Sequence, residues 1–412
     1  MPGLKGHHYF GLDIGSSTVR CVVGSVHPDN PTKPSIIGHG ESPNLGMRKG
    51  SVAHIDDVSD SIAAAVNEAE RVSGIQINRA TINVNGAGVL GLDSHGVIAI
   101  PALNREITEE DCLRVEEAAT IMQLPPNREI LQVFAKSYSL DGQDNIKDPI
   151  GMHGVRLEVD SHIITTPSSN LRSLSIALDK ARTAVDHYTV SSIASIEAVL
   201  TRNQKESGTL MLDIGAGTSN LAVIEDGEIQ HVSVIPVGGI NVTNDLAVGL
   251  KTDLEIAELV KVKHASLISS PNRPNRLQVE FEGEKHDFSH SEVNMIIEAR
   301  LEELMELVDK ELNRIHRSAK LPGGVVIVGG SAKLPGIAEL AKDKLKLPAR
   351  LGKLLELPGL IESVSDPSYI PAVGLMLMDM LLGEPIGSQA TGNSKTRERL
   401  TSLSKKLIDK IK

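Results

Sequence analysis

The feature that most restricts the fold of this sequence is a twelve-residue motif that occurs twice, 200 residues apart. Six positions are identical between residues 12–23 and residues 212–223. In each copy an apolar stretch ends in Asp-Ile-Gly, a short turn rich in Ser, Gly and Thr follows, and a second apolar stretch begins. This pattern predicts two β-hairpins. Because the copies are half a chain apart, we expect two related halves whose turns face one cleft.

The chemistry of these turns favours phosphate. Glycine lets successive backbone N–H groups converge on an anion, and hydroxyl groups add further donors. Asp13 and Asp213 would repel phosphate directly but can hold Mg²⁺ or its waters, so we predict both as metal-binding and catalytic residues. A single copy is equally compatible with an ordinary hairpin turn. The residues predicted to contact phosphate are Gly15, Ser16, Ser17, Thr18, Gly215, Ala216, Gly217 and Thr218.

Composition excludes several classes of protein. A chain of 412 residues with 40% hydrophobic content is expected to form two to four compact units. A net charge of −11, no Trp and only 2% aromatic residues argue against nucleic-acid binding. Two cysteines imply no disulfide framework and suit a reducing cytoplasm.

The paired motifs resemble the phosphate loops of the actin/Hsp70/sugar-kinase ATPase superfamily. Residues 193–198 and 371–375 look like its two connecting helices, and residues 325–336 look like its adenosine strand and loop. Within the superfamily, residues 234–245 and 257–264 are similar to the FtsA family of bacterial cell-division proteins. The resemblance covers essentially the whole chain.

The resemblance implies an α/β, actin-like two-domain ATPase fold with an inserted small α+β subdomain and a C-terminal amphipathic helix. The first ATPase subdomain is predicted at residues 1–84, 164–205 and 364–387, with the insertion at 85–163. The second ATPase subdomain is predicted at residues 206–245 and 320–363, with its smaller subdomain at 246–319. A linker at 388–394 and the terminal helix at 395–412 complete the expected organisation.

The resemblance also implies ATP and Mg²⁺ as ligands. Glu197, on the first connecting helix, is predicted to orient a catalytic water or magnesium, although a surface acid is an alternative. Gly238 and Gly239 precede a helix whose N-terminus is expected to face phosphate. Glu258 and Lys261, three residues apart, are predicted at the nucleotide, with a surface ion pair as the alternative. The predicted adenosine-binding residues are Gly329, Gly330, Ser331 and Lys333.

The last 18 residues combine helical periodicity with positive charge. Seven basic residues stand against two acidic ones, giving a local charge of +5 on an otherwise acidic chain. This pattern predicts an amphipathic helix that lies on an anionic membrane surface, with a docking helix for the chain itself or for a partner as the alternative. The predicted membrane-facing residues are Leu400, Leu403, Leu407, Ile408 and Ile411.

The function implied by the resemblance is cell division. The chain is expected to polymerise and to tether FtsZ filaments to the cytoplasmic face of the membrane at the division septum. FtsZ is expected to engage residues 246–319 through its C-terminal tail, with Arg300 as a candidate contact. ATP hydrolysis is expected to be slow at most, since Asn220 departs from the Asp that often closes the second phosphate motif. The alternatives are a PilM-like pilus scaffold and, less favoured, a sugar kinase.

Overall fold

The structure is a computed structural model that describes residues 7–27, 30–100, 106–121, 124, 126–268 and 274–383. Its strands are β1 His7–Ile14, β2 Thr18–His27, β3 Asn30–Pro43, β4 Met47–Arg48, β5 Ser51–Val52, β6 Arg79–Asn83, β7 Leu90–Ala99, β8 Arg128–Leu140, β9 Gln143–Ile146, β10 Arg156–Pro167, β11 Ala184–Thr189, β12 Thr209–Ile214, β13 Ser219–Glu225, β14 Glu228–Ile235, β15 Arg276–Phe281, β16 Glu284–Ser289, β17 Val325–Val328 and β18 Ala349–Leu351. Its α-helices are α1 Ile55–Ser73, α2 Glu109–Ala119, α3 Ser168–Lys180, α4 Ser191–Val199, α5 Arg202–Glu206, α6 Gly239–Leu250, α7 Leu254–His264, α8 His290–Arg314, α9 Ile337–Leu345 and α10 Ile370–Leu382.

The two predicted hairpins have the same register. In the first half, β1 pairs antiparallel with β2 so that Asp13 lies opposite Arg20. In the second half, β12 pairs with β13 so that Asp213 lies opposite Asn220. The first hairpin lies in a five-stranded sheet of order β11-β6-β1-β2-β3, and the second lies in a nine-stranded sheet of order β18-β17-β12-β13-β14-β7-β10-β8-β9. The duplicated sequence therefore forms a duplicated structure.

Helices α4 and α10 pack between the halves at distances that only glycine permits. A Cβ atom on Gly374 of α10 would lie 2.1 Å from the Ala194 carbonyl oxygen on α4. A Cβ atom on Gly11 of β1 would lie 2.2 Å from the Ala372 carbonyl oxygen on α10. Because backbone meets backbone at these points, α10 is seated directly on the strand that leads into the first turn.

The predicted insertion forms a small α+β unit with its own core. Helix α2 covers β7 and β10, and its start is closed by a capping box in which Thr108 and Asp111 bond each other's backbone N–H groups. Its sheet continues that of the second half, since β7 pairs with β14 through Leu90 and Ser233. The insertion thus begins and ends in the first half but shares a sheet with the second. The predicted fold class is confirmed in this respect.

The local sequence pattern predicts a helix capped by Ser168 or Ser169 that runs to about His187, and a helix capped by Asp56 or Asp57 that stops at Gly74. In both cases the structure has a different boundary. The helix expected from residue 168 to His187 ends at Lys180, and β11 follows because its backbone pairs in parallel with β6. The helix expected to be capped by Asp56 or Asp57 begins after His54, whose side chain makes no capping bond, although its predicted stop at Gly74 is observed with φ 72°. Tertiary pairing and packing set these boundaries more strongly than local propensity.

No helix in the described part of the chain is long and apolar enough to cross a membrane. The predicted linker at 388–394 and the predicted helix at 395–412, including Leu400, Leu403, Leu407, Ile408 and Ile411, lie outside the described residues.

Candidate nucleotide site

The two hairpin turns line one cavity of about 490 Å³, a size typical of small-molecule sites. Each turn is closed by the same backbone bond, from Gly15 N–H to Thr18 at 3.1 Å and from Gly215 N–H to Thr218 at 2.9 Å. The predicted residues that line this cavity are Asp13, Gly15, Ser16, Ser17, Thr18, Asp213, Gly215, Ala216, Gly217, Thr218, Gly238, Gly239, Glu258, Lys261, Gly329, Gly330, Ser331 and Lys333. The fold therefore brings together side chains and turns from distant parts of the sequence.

The two aspartates lie buried at this cavity. Asn83 donates to Asp13 Oδ1 at 2.5 Å, while Asp213 Oδ2 accepts hydrogen bonds from Ser191 and, at 3.4 Å, from Asn220. Burial, with the nearby charge of Asp213, raises the pKa of Asp13 to about 7. Burial also raises the pKa of Asp213, against the opposing effect of the Ser191 and Asn220 hydrogen bonds.

These aspartates fit a divalent cation. Burial disfavours the ionised form of both carboxylates, and the charge of Asp213 adds to this effect at Asp13; a bound cation would relieve that cost. The buried Oδ1 of Asn220, on the wall of the same cavity, has no hydrogen-bond partner among the described residues. It supplies a further oxygen acceptor of the kind that bonds the waters of a hydrated Mg²⁺.

Arg20 is a cavity residue that the sequence analysis did not single out. Its guanidinium lies 5.2 Å from the centre of the Tyr369 ring and its Nε is 3.4 Å from Glu41 Oε2. Its positive charge opposes the rise in the pKa of both Asp13 and Asp213. The sequence feature that could have identified Arg20 is a charged residue inside an otherwise apolar strand, at the position opposite Asp13.

Backbone hydrogen bonds from the start of α6, at Gly239 and Ile240, stabilise the second turn. Gly239 N–H donates to the Gly215 carbonyl at 2.9 Å and Ile240 N–H donates to the Ala216 carbonyl at 2.8 Å. Gly238 N–H is held by the Asn241 side chain at 3.0 Å. The first amides of α6 are thus used to fix the turn, and are not left free for phosphate as the sequence analysis expected.

Glu258 and Lys261 form an ion pair of 2.6 Å at the cavity. Lys261 also donates to the Gly239 carbonyl at 3.1 Å and to the Thr243 hydroxyl at 2.8 Å. The two alternatives given for Glu258 and Lys261, a place at the nucleotide site and an i,i+3 ion pair, are therefore compatible, because the ion pair itself lines the cleft.

The predicted adenosine loop forms a 3-10 helix at Gly330–Lys333 after β17. Gly329 has φ 89°, and a Cβ atom there would lie 2.4 Å from Asp213 Oδ1. A Cβ atom on Gly330 would meet nothing within 4 Å, so this glycine leaves open space in the cavity wall. Lys333 is held by Asp366 at 2.9 Å.

Glu197 and Arg300 do not have the positions that were predicted for them. Glu197 is not on the cavity wall; it forms a buried ion pair of 2.7 Å with Lys205. It is six residues, or ~9 Å of helix, beyond Ser191, which is the residue of α4 that reaches Asp213. Arg300, considered as an FtsZ contact, lines the cavity and is bound by Asp245 and Glu303.

Comparison with known proteins decides the family. A family model described as "Cell division protein FtsA" matches residues 210–374, and one described as "SHS2 domain inserted in FTSA" matches residues 86–165. Cell division protein FtsA of Bacillus subtilis is 37% identical over 371 residues, which are 89% of this chain and 82% of that protein. FtsA of Pseudomonas aeruginosa is 34% identical over 376 residues, covering 90% and 89% of the two chains. The chain belongs to the FtsA family.

Solved structures show that this FtsA-family chain has an actin-like fold. The structure titled "PilM-PilN type IV pilus biogenesis complex" superposes with a TM-score of 0.64 at 19% identity, covering 90% of this chain and 98% of that one. MreB5 of Spiroplasma citri bound to ADP gives a TM-score of 0.52 at 16% identity, covering 90% and 96%. The predicted family is confirmed, and so is the predicted fold class apart from its C-terminal helix, which lies outside the described residues.

Proposed function

We propose that this FtsA-family protein binds ATP with Mg²⁺ in the cleft between its two halves. The observation that carries the proposal is that both hairpin turns, both buried aspartates and the Gly330–Lys333 helix line one cavity. The ADP bound to MreB5, which shares the fold, agrees with this assignment. Asp13 and Asp213 would hold the cation, which would neutralise phosphate charge.

Calorimetry with ATP tests the proposed ligand. We expect saturable binding in the presence of Mg²⁺ and a loss of at least about tenfold in affinity when EDTA removes the metal, because the aspartates would then face the phosphates unscreened. AMP, which lacks the two outer phosphates, is the matched control and should bind far more weakly. Equal affinity with and without Mg²⁺ would contradict the assigned role of the aspartates.

We further propose that the protein polymerises and tethers FtsZ filaments to the cytoplasmic face of the membrane at the septum. Membership in a family of cell-division proteins and the basic, amphipathic pattern of residues 395–412 support this proposal. A PilM-like scaffold would share the fold, but the relatives that establish the family are cell division proteins. Residues 246–319 remain our proposed FtsZ-binding region, without Arg300 as a contact.

Liposome sedimentation tests the membrane anchor. Five partly buried aliphatic side chains and the basic residues each contribute roughly 1 kcal/mol, against an ordering cost of about the same size per residue. One tail should therefore bind weakly and an array of tails firmly, so binding to anionic liposomes should rise cooperatively with protein concentration.

Chain truncation after Ser394 and Leu403→Glu should both leave the protein in the supernatant. Ser402→Glu, which places the same charge on the opposite side of the predicted helix, is the matched control and should sediment. Equal sedimentation of the truncated chain would refute the anchor.

A further inference from the structure

A short segment between β3 and α1 joins the two phosphate turns. We call residues 44–52 the strap. Asn44 is buried and its side chain donates to the Gly15 carbonyl at 2.8 Å, while its own N–H donates to the Ser17 carbonyl at 2.9 Å. At the other end of the strap, Gly50 N–H donates to Ser16 Oγ at 3.0 Å. The strap is therefore fastened to the first turn at both ends.

Near its C-terminal end the strap turns sharply between β4 and β5. Lys49 has φ 48° and Gly50 has φ 70°, both in the left-handed region that side chains other than glycine rarely adopt. Gly50 packs so closely that a Cβ atom would lie 2.1 Å from the Asn85 carbonyl oxygen. Lys49 and Gly50 are the two turn residues of the β4–β5 hairpin, and positive φ at both is the geometry of such a turn, which places Lys49 at its tip beside the cleft.

Lys49 also reaches the second turn. A Cβ atom on Gly217 would lie 3.3 Å from Lys49 Cα and 2.6 Å from Ser16 Oγ, so these three residues meet across the cleft. At the other side of the site, a Cβ atom on Gly239 would lie 3.0 Å from Ser331 Oγ of the Gly330–Lys333 helix. A nucleotide whose adenosine contacts that helix would extend its outermost phosphate towards Gly217 and the strap.

Charge distinguishes Lys49, which lies beside the cavity and is not on its wall, from the basic residues that line the cavity. Each basic residue on the cavity wall has a carboxylate partner: Arg20 with Glu41, Lys261 with Glu258, Arg300 with Asp245 and Lys333 with Asp366. Lys49 is exposed and has no ion pair or side-chain hydrogen bond with any residue that the structure describes. Its flexible stem carries a compact positive charge with three donors.

We propose that Lys49 binds the terminal phosphate of a nucleoside triphosphate held between the two turns, and so makes the cleft discriminate triphosphate from diphosphate. The inference rests on the proposed function and adds the residue that recognises the third phosphate. A lost charge-assisted hydrogen bond to phosphate corresponds to about a tenfold change in affinity or more.

The test compares ATP and ADP affinities of full-length variants in Mg²⁺ by calorimetry. Lys49→Asn removes the charge with a residue that tolerates the left-handed conformation, Lys49→Arg retains the charge, and Arg48→Asn makes the same change at the adjacent exposed position. We expect Lys49→Asn to weaken ATP binding about tenfold and ADP binding less than twofold. Lys49→Arg should lose less than half of that discrimination, and Arg48→Asn should lose none.

Each contrary result has its own meaning. If Lys49→Asn leaves both affinities unchanged, or weakens ATP and ADP equally, the inference is refuted while the ATP site stands. Thermal melting of each variant separates a folding defect from a binding defect, and Lys49→Gly, which suits φ 48° best, repeats the test if the Asn variant melts early. If the unaltered protein binds neither nucleotide, the proposed function fails and the inference falls with it.

Discussion

Asp13→Asn is expected to stabilise the nucleotide-free protein at pH 8 and to abolish its magnesium-dependent binding of ATP. Asp13 is buried, and burial and Asp213 raise its pKa to about 7 from 3.8. A carboxyl whose pKa is raised by folding contributes stability that is fully present when the pH is below the pKa of that carboxyl in the unfolded chain. That stability is lost as the pH rises through about 7, because the folded chain must then carry a buried charge.

The expected size follows from the difference in pKa. About three pKa units correspond to ~4 kcal/mol of unfolding free energy lost between pH 4 and pH 8, as an upper value. Asn has nearly the same shape, does not ionise and still accepts a hydrogen bond from Asn83 on its carbonyl oxygen. The unfolding free energy of the Asp13→Asn variant should therefore fall less between pH 4 and pH 8 than that of the unaltered protein.

Urea denaturation in EDTA at pH 5 and pH 8, with calorimetry of ATP and Mg²⁺, checks both halves of this result. Asp60→Asn, at an exposed carboxylate on α1, should change neither measurement. If Asp13→Asn shows the same pH dependence as the unaltered chain, Asp13 is not the group that limits stability. If the variant keeps magnesium-dependent binding, Asp13 does not hold the metal.

Gly330→Asp is expected to reduce ATP affinity about 100-fold or more without destabilising the fold. The new Cβ atom meets nothing within 4 Å, so the side chain enters the open cavity without displacing protein atoms. A carboxylate ~4 Å from a phosphate in partly buried surroundings is repelled by about 4 kcal/mol. The loss should arise from charge, so Gly330→Asn, which has the same shape, should lose much less.

The adjacent glycine provides a sharp contrast. Gly329→Ala combines φ 89° with a Cβ atom 2.4 Å from Asp213 Oδ1, and should lower the melting temperature even without nucleotide. Thermal melting and calorimetry on the three variants separate these effects. Unchanged ATP affinity in Gly330→Asp would place the nucleotide outside this cavity.

Some predictions succeeded because they depended on short-range chemistry. The turns at Gly15 and Gly215 follow from the local alternation of apolar strands, Asp, Gly and Thr, and the structure has them in identical register. From Ser291 onward the helical spacing of apolar residues predicts a helix with Ile297, Leu301 and Leu304 inward, and α8 buries this stripe. Such features are encoded within a few residues, and their outcome does not depend on distant partners.

Other features depended on partners that are far away in the sequence. Residues 184–189 form a strand because β6, about 100 residues earlier, offers its edge. Glu197 is excluded from the cleft because Lys205 binds it, and Arg300 is oriented by Asp245, 55 residues away. In each case the local pattern was compatible with both outcomes.

The sequence by itself determined the family, the two hairpins and most of the predicted residues that line the cleft, because duplicated turns and glycine-rich loops carry their chemistry in their own residues. Only the tertiary structure decided the electrostatics of that cleft. It placed Arg20 where its charge acts on both aspartates, used the amides of α6 to fix the second turn, and brought Lys49 of the strap to Gly217. These arrangements depend on contacts between residues that are separated in the sequence. A contact such as that of Lys49 with Gly217, 168 residues away, is set by packing and not by local pattern.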